Sequence, residues 1–165
     1  MIVCGVIQLS ILKLPIMIKE EYDELIHEQY LSRIAFQGEY PYIAPFLYVF
    51  DGRYLYFLST KYGKKIELFR ENPQVAVEIE NYHPDLTNYK FVTMQGKIEE
   101  VEDDEEKTHA RELFVDLLKE KNLSSVIMAA LGHRPEDPPE ALLGEEKSYV
   151  WKLVDVKKII GIKNS

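Results

Sequence analysis

The chain has 165 residues with 46% apolar and 12% aromatic side chains, enough for one packed core and too apolar for a disordered segment. Acidic residues outnumber basic ones, 28 to 20, which argues against a general nucleic-acid or anionic-membrane surface and leaves room only for a local anion site. Cys4 is the only cysteine, so an internal disulfide and a cysteine-built zinc site are excluded and a reducing, cytoplasmic setting is expected. In chain order, the apolar "MIVCGVIQLSILKLPIM" invites a targeting reading. Ile2 to Leu12 is far short of the ~20 residues that span a bilayer, is interrupted by Gln8 and Ser10, and has no preceding basic region. Residues 1–16 are read as an N-terminal extension, a strand or docked segment, and 17–165 as the single domain. From Ile18, the residues Ile18, Tyr22, Leu25, Ile26 and Tyr30 recur at helical spacing behind an acidic first turn.

Three aromatic-rich runs follow, "LSRIAF", "YIAPFLYVF" and "RYLYFLS". Asp51-Gly52 between the last two is a strong hairpin signal, and together they read as an antiparallel meander. "KKIELFREN", Lys64 to Asn72, reads as a short helix with Ile66 and Phe69 inward, ended by Pro73. "QVAVEIE" is the next strand. "YKFVTMQGKIEEVE" is a long one in which Gly96 predicts a bulge or a close backbone approach. The acidic run Glu102 to Glu106 opens a helix with the stripe Ala110, Leu113, Phe114, Leu117 and Leu118. Gly132 to Gly144 is Pro-rich and reads as a surface excursion, and "SYVWKLVDV" as the last strand before "KKIIGIKNS". This order predicts a mainly β, antiparallel barrel or sandwich with short peripheral helices.

Against the acidic background, "STKYGKK" collects Lys61, Lys64 and Lys65. Cations at a helix start are disfavoured by the dipole, so a negative group there is favourable. Free backbone N–H groups, the Ser59 and Thr60 hydroxyls and a turn through Gly63 make a phosphate cradle. A solubilising surface turn is the competing reading of these seven residues. A P-loop is excluded because the required spacing is absent. The four histidines are too widely spaced for a metal site, and no metal is expected.

The ordered series "SRIA", "YPYIAPFLYVFDG", "YFLS", "GKK", "NPQVAVEI" and "QGKIEEVED" resembles the pyridoxamine 5'-phosphate oxidase-like split-barrel family, in particular its nitroimidazole-resistance-related branch, over about Met17 to Glu120. The resemblance implies a split β-barrel that dimerises with FMN in the groove between protomers. Arg33 and Ile34 resemble the strand that contacts the flavin and its phosphate, and Pro45, Phe46 and Leu47 the strand whose backbone lines the ring. Leu58, Ser59, Lys64 and Lys65 resemble the phosphate side, with Lys64 where the oxidases have arginine. Gln95 is a candidate for facing the ring. Trp151 reads as core or interface packing, or as a border to a partner's flavin.

The chain finishes at "IIGIKNS" without the arginine-containing tail of the true oxidases, and Leu58 stands where the nitroimidazole branch often has histidine. Neither of those specific activities is therefore expected. No catalytic acid, base or nucleophile is nominated, because a flavin carries the redox chemistry itself. The expected function is an FMN-binding, homodimeric, cytoplasmic oxidoreductase passing electrons from NAD(P)H to a small acceptor, with no nucleic-acid or membrane partner. A deazaflavin-dependent reductase and a non-catalytic flavin- or haem-binding module are the alternatives.

Overall fold

In the computed structural model, residues 13–144 and 146–164 are described. Helix α1 (Lys19–Glu28) starts where Glu21 accepts a hydrogen bond from the Ile18 N–H (3.0 Å) and another from the Lys163 ammonium. The six strands are β1 (Leu31–Phe36), β2 (Tyr42–Phe50), β3 (Leu55–Thr60), β4 (Gln74–Tyr82), β5 (Tyr89–Glu100) and β6 (Ser148–Lys163). They close in the order β1-β2-β3-β6-β5-β4, every ladder antiparallel. The expected antiparallel barrel with short peripheral helices is what forms.

Strand alternation sorts the side chains. On β1, Ser32, Ile34 and Phe36 are buried while Leu31 and Arg33 are exposed. The β2–β3 turn is held by Asp51, whose Oδ1 accepts from the N–H groups of Arg53 (2.8 Å) and Tyr54 (2.7 Å), with Gly52 at φ 93°. That is the Asp-Gly signal realised as an Asx-type turn.

The barrel interior is filled by Ile34, Phe36, Phe46, Phe57, Val77, Val92, Met94 and Trp151. Trp151 is fully buried, with ring centroids 4.7 Å from Phe69, 6.0 Å from Phe46 and 6.3 Å from Phe36. Helix α2 (Lys64–Glu71) joins β3 to β4. In the closed ring these two strands are separated by two others in either direction, so α2 must cross one end of the barrel. It plugs that end with Ile66 and Leu68, and with Phe69 against Trp151.

Gly96 lies at a register shift between β5 and β6, where an added Cβ would stand 2.7 Å from the Val154 carbonyl oxygen. The expected bulge and close approach therefore coincide. The last strand and the "KKIIGIK" that follows it form one sixteen-residue strand, because β6 borders β3 with its first part and β5 along its length. Its far end also takes in the segment before α1. The Met17 N–H donates to Gly161 O (2.9 Å), the Lys163 N–H donates to Pro15 O (3.1 Å), and Ile16 bridges Ile162. The expectation for Ile2 to Leu12 lies outside the described residues.

A second core covers the outside of β2, β3 and β6. Helix α3 (Asp104–Glu120) starts at Asp103, whose side chain accepts from the Glu106 N–H (2.8 Å), so the acidic run is a capped helix start. Its Ala110, Phe114 and Leu118 pack with Leu47, Val49, Tyr56, Leu58 and Val150, and with Met128 of α4 (Ile127–Ala130). The Pro-rich excursion is anchored: Leu142, in a 3-10 turn over Pro139–Leu143, is fully buried. Arg111, also buried, donates to Leu142 O (3.0 Å), Ser148 Oγ (2.9 Å) and Ser148 O (2.8 Å). Because β3 is packed on both faces, all six of its residues are buried.

His133 sits in this second layer with its Nε2 buried and without a protein partner. Burial, aided by Lys147 and Arg111 against the opposing pull of Asp137, lowers its pKa below the usual 6.5. The unfolded chain therefore takes up this proton more readily than the folded one. The resulting stability is present above pH 6.5 and is lost as pH falls through the depressed folded value. Thermal unfolding measured across this range should show the loss, and His133→Gln should remove this component of it.

Candidate functional site

The β2–β3 ladder is short. Only Tyr48, Val49 and Phe50 pair with Phe57, Tyr56 and Leu55, whereas β2 continues alongside β1 down to Tyr42 and β3 continues alongside β6 up to Thr60. The two strands therefore part, with Pro45, Phe46 and Leu47 on one bank and Leu58, Ser59 and Thr60 on the other. The reason is local: proline at 45 has no N–H to give to a ladder.

The direction of the backbone groups along the banks follows from one bond. The Tyr48 N–H donates to Tyr30 O (2.9 Å), on the side away from β3. By antiparallel alternation, the Leu47 N–H and the Pro45 and Leu47 carbonyls face the opening, as do the backbone groups of Leu58 and Thr60. The outer ends of Leu47 and Leu58 are covered by the α3 layer, and the interior is closed by Phe46 and Phe57. Backbone polar groups turned to a gap between apolar walls suit a flat ligand with donors and acceptors at its edge.

The opening leads to "STKYGKK". Gly63 adopts φ 100°, a conformation that favours glycine, and aims the chain into α2. The first N–H groups of α2 have no helical acceptor. The Lys65 ammonium folds back to donate to Thr60 Oγ1 (2.7 Å) and Tyr62 O (3.4 Å), and partial burial lowers its pKa. Lys64 is exposed, with its ammonium 3.7 Å from Glu67. The two adjacent lysines thus differ: Lys65 is held in place at the edge of the opening, and Lys64 is an exposed cation beside Glu67.

Arg33 projects outward from β1, opposite Pro45 on one side and Glu78 on the other. It is engaged by two carboxylates, Glu78 (3.2 Å) and Glu80. Ile34, Phe46 and Trp151 have their side chains in the barrel core and Ser59 is fully buried, and by the same alternation the backbone groups of Phe46 and Ser59 turn to β1 and β6 rather than to the opening. Gln95 lies elsewhere. Its strand, β5, is opposite β2 in the ring, and it lines a groove of about 690 Å³ with Ala35, Gln37, Gln74, Ala76 and Lys97.

The structure therefore brings together Pro45, Phe46, Leu47, Leu58, Ser59, Thr60, Lys64 and Lys65, with Arg33 one strand away, and separates Gln95 from them, while Trp151 is behind Phe46 in the core. Residues not singled out from the sequence are Tyr62, whose carbonyl orients Lys65, and Glu78 and Glu80, which hold Arg33. The alternation in "QVAVEIE" already turns both glutamates outward, but only the barrel register puts Arg33 between them.

A closed ring of antiparallel strands in which one ladder opens is a split β-barrel. The family model described as pyridoxamine 5'-phosphate oxidase matches residues 19–137, and the chain belongs to that family. Solved structures share the fold. A FAD-binding protein from Mesorhizobium loti is 21% identical with a TM-score of 0.62, over 93% of this chain and 100% of that one. A candidate 5-nitroimidazole antibiotic resistance protein from Bacteroides thetaiotaomicron is 20% identical with a TM-score of 0.64, over 92% of this chain and 87% of that one. The FAD-binding protein from Mycobacterium smegmatis is 15% identical with a TM-score of 0.59, over 92% and 98%. No curated protein matches the chain. Among the described residues, no helix is long and apolar enough to cross a membrane.

Proposed function

We propose that the opened β2–β3 ladder is a flavin site, with FMN as the flavin and its phosphate at Thr60, Lys65 and the start of α2. The observation that carries this is the continuity of the opening, with its backbone groups left out of the β2–β3 ladder, into a cradle whose ammonium is already oriented. The residues fit such a group: the banks offer backbone donors and acceptors, and a Cβ at Gly63 would meet nothing closer than Lys65 Nζ at 3.9 Å, so the approach to the cradle is open. Two of the structural neighbours are named FAD-binding, which supports a flavin of some kind. A cradle with one placed ammonium, that of Lys65, favours FMN.

Bound there, a flavin would supply the hydride and electron transfer that side chains cannot. The chain's own part is to bind the phosphate, hold the ring between the banks and exclude water through the α3 layer. The reading is an oxidoreductase passing electrons from a reduced nicotinamide donor to a small acceptor in the cytoplasm.

The working unit in this proposal is a homodimer. The α3 layer covers the split side of β2, β3 and β6, while the outward face that runs over β1, β4 and β5, with the Ile43 end of β2 and the Ile160 end of β6, is left bare, with Leu31, Ile43 and Ile160 exposed. Gln95 and its groove lie across the barrel from the split, so they can border a flavin only if it is held by another copy.

The purified protein should show flavin absorption bands, or its ligand-free fraction should bind FMN saturably at one site per chain, and NADH or NADPH should bleach the bound flavin. The FMN affinity should fall as salt is raised, because part of the contact is charge on charge. A protein that ignores FMN would overturn the assignment. Flavin that binds but is not reduced by either nicotinamide would leave a flavin-binding module in place of an oxidoreductase.

A further inference from the structure

On the bare outer face the charged side chains of β1 and β4 form one island. Along one cross-strand row lie Pro45, Arg33, Glu78, Thr93 and Ile160. Along the next lie Leu47, Leu31, Glu80, Phe91 and Ile162. The only charged side chains in these two rows are therefore Arg33, Glu78 and Glu80. The two carboxylates share one guanidinium, with their side chains 26% and 21% exposed, so the island carries one excess negative charge within an apolar setting.

These two rows hold no second cation; on the same face the adjoining row ends in the exposed Lys158 of β6, two strands from Glu78. On β2 the facing residues are Pro45 and Leu47, and on β5 they are Thr93 and Phe91. Lys90 of β5 is drawn to Glu24 of α1 at 3.7 Å, and Lys163 of β6 to Glu21 of α1.

We propose that the Arg33–Glu78–Glu80 island makes pairing of two copies through this face proton-linked, so that the dimer tightens as the medium is acidified. The inference rests on the homodimer reading above. A two-fold contact through the face would bring both islands, with their two excess negative charges, out of water. Burying uncompensated charge is costly, and uptake of one proton by each carboxylate pair leaves each island neutral, with the arginine still paired to the remaining carboxylate. Glu78 is the expected site of uptake: burial and the neighbouring Glu80 carboxylate raise its pKa despite Arg33.

The sign follows from linkage. If the dimer takes up protons relative to the monomer, the dimer dissociation constant falls as pH falls, with a limit of two protons per dimer.

The test is sedimentation equilibrium of the full chain from about pH 8 to about pH 5.5, comparing wild type with Glu78→Gln and with Glu100→Gln, an exposed glutamate elsewhere on the barrel. For the wild type and Glu100→Gln, dissociation should weaken by roughly tenfold or more across this range. Glu78→Gln should bind tightly already at the upper end and show a flat profile. General relief of repulsion between two chains of net charge -8 would persist in Glu78→Gln, so an unchanged slope in that variant overturns the proposal. A wild-type dimer whose affinity ignores pH overturns it too, with the homodimer intact. A chain that is monomeric at every pH overturns the homodimer reading itself.

Discussion

Lys65→Ala should weaken FMN by roughly 10- to 100-fold, the range expected for loss of a charge-assisted contact, while riboflavin, which lacks the phosphate, loses little. The basis is the difference between the two adjacent lysines. Lys65 is tied to Thr60 Oγ1 and Tyr62 O, so its ammonium is placed before any ligand arrives and less side-chain entropy is lost on binding. Lys64 is exposed and shared with Glu67, so Lys64→Ala should cost a few-fold at most, and that loss should disappear at high salt. Titrations of both ligands against both variants separate a phosphate contact from general damage. Equal losses of FMN and riboflavin in Lys65→Ala would mean that the phosphate lies elsewhere.

Trp151→Ala should destabilise the fold by about 3–5 kcal/mol, the usual cost of emptying a large buried aromatic site. Trp151 is fully buried among Phe36, Phe46 and Phe69, and through Phe69 it ties the interior to α2. The indole Nε1–H has no acceptor among the described residues, so Trp151→Phe forfeits no hydrogen bond to them and should lose only part of the volume term. Urea unfolding of the two variants measures this. The same pair tests the role of the residue: in a packing role, Trp151→Phe keeps its FMN affinity. A large loss of affinity in a well-folded Trp151→Phe would place Trp151 at the flavin.

Much of the fold is legible along the chain because its signals are local. The alternation in "LSRIAF" and "QVAVEIE", the Asp51-Gly52 turn, the acidic start of α3 and the break at Pro73 each act over a few residues. Gly96 is legible too, since a glycine within a strand run marks a bulge or a close approach. By contrast, nothing in "GHRPEDPPEALLG" signals that Leu142 is buried, because helix α3, which packs on it, is distant in sequence. The single long β6 is likewise hidden: "KKIIGIK" is strand only because β5 and the segment at Pro15–Met17 offer it partners.

The candidate site divides in the same way. The available groups are readable along the chain: an unusual proline within a strand run at Pro45, the hydroxyls of Ser59 and Thr60, the glycine turn and the paired lysines before a helix. Which of them act together depends on the folded barrel. Barrel closure aligns β2 with β1 and β3 with β6, and so opens the ladder between Pro45 and Thr60. It also places Gln95 on the opposite wall, draws Trp151 into the core and sets Arg33 between Glu78 and Glu80. These outcomes depend on register across strands many residues apart, where a shift of one position reverses every side chain, and no local pattern encodes that choice.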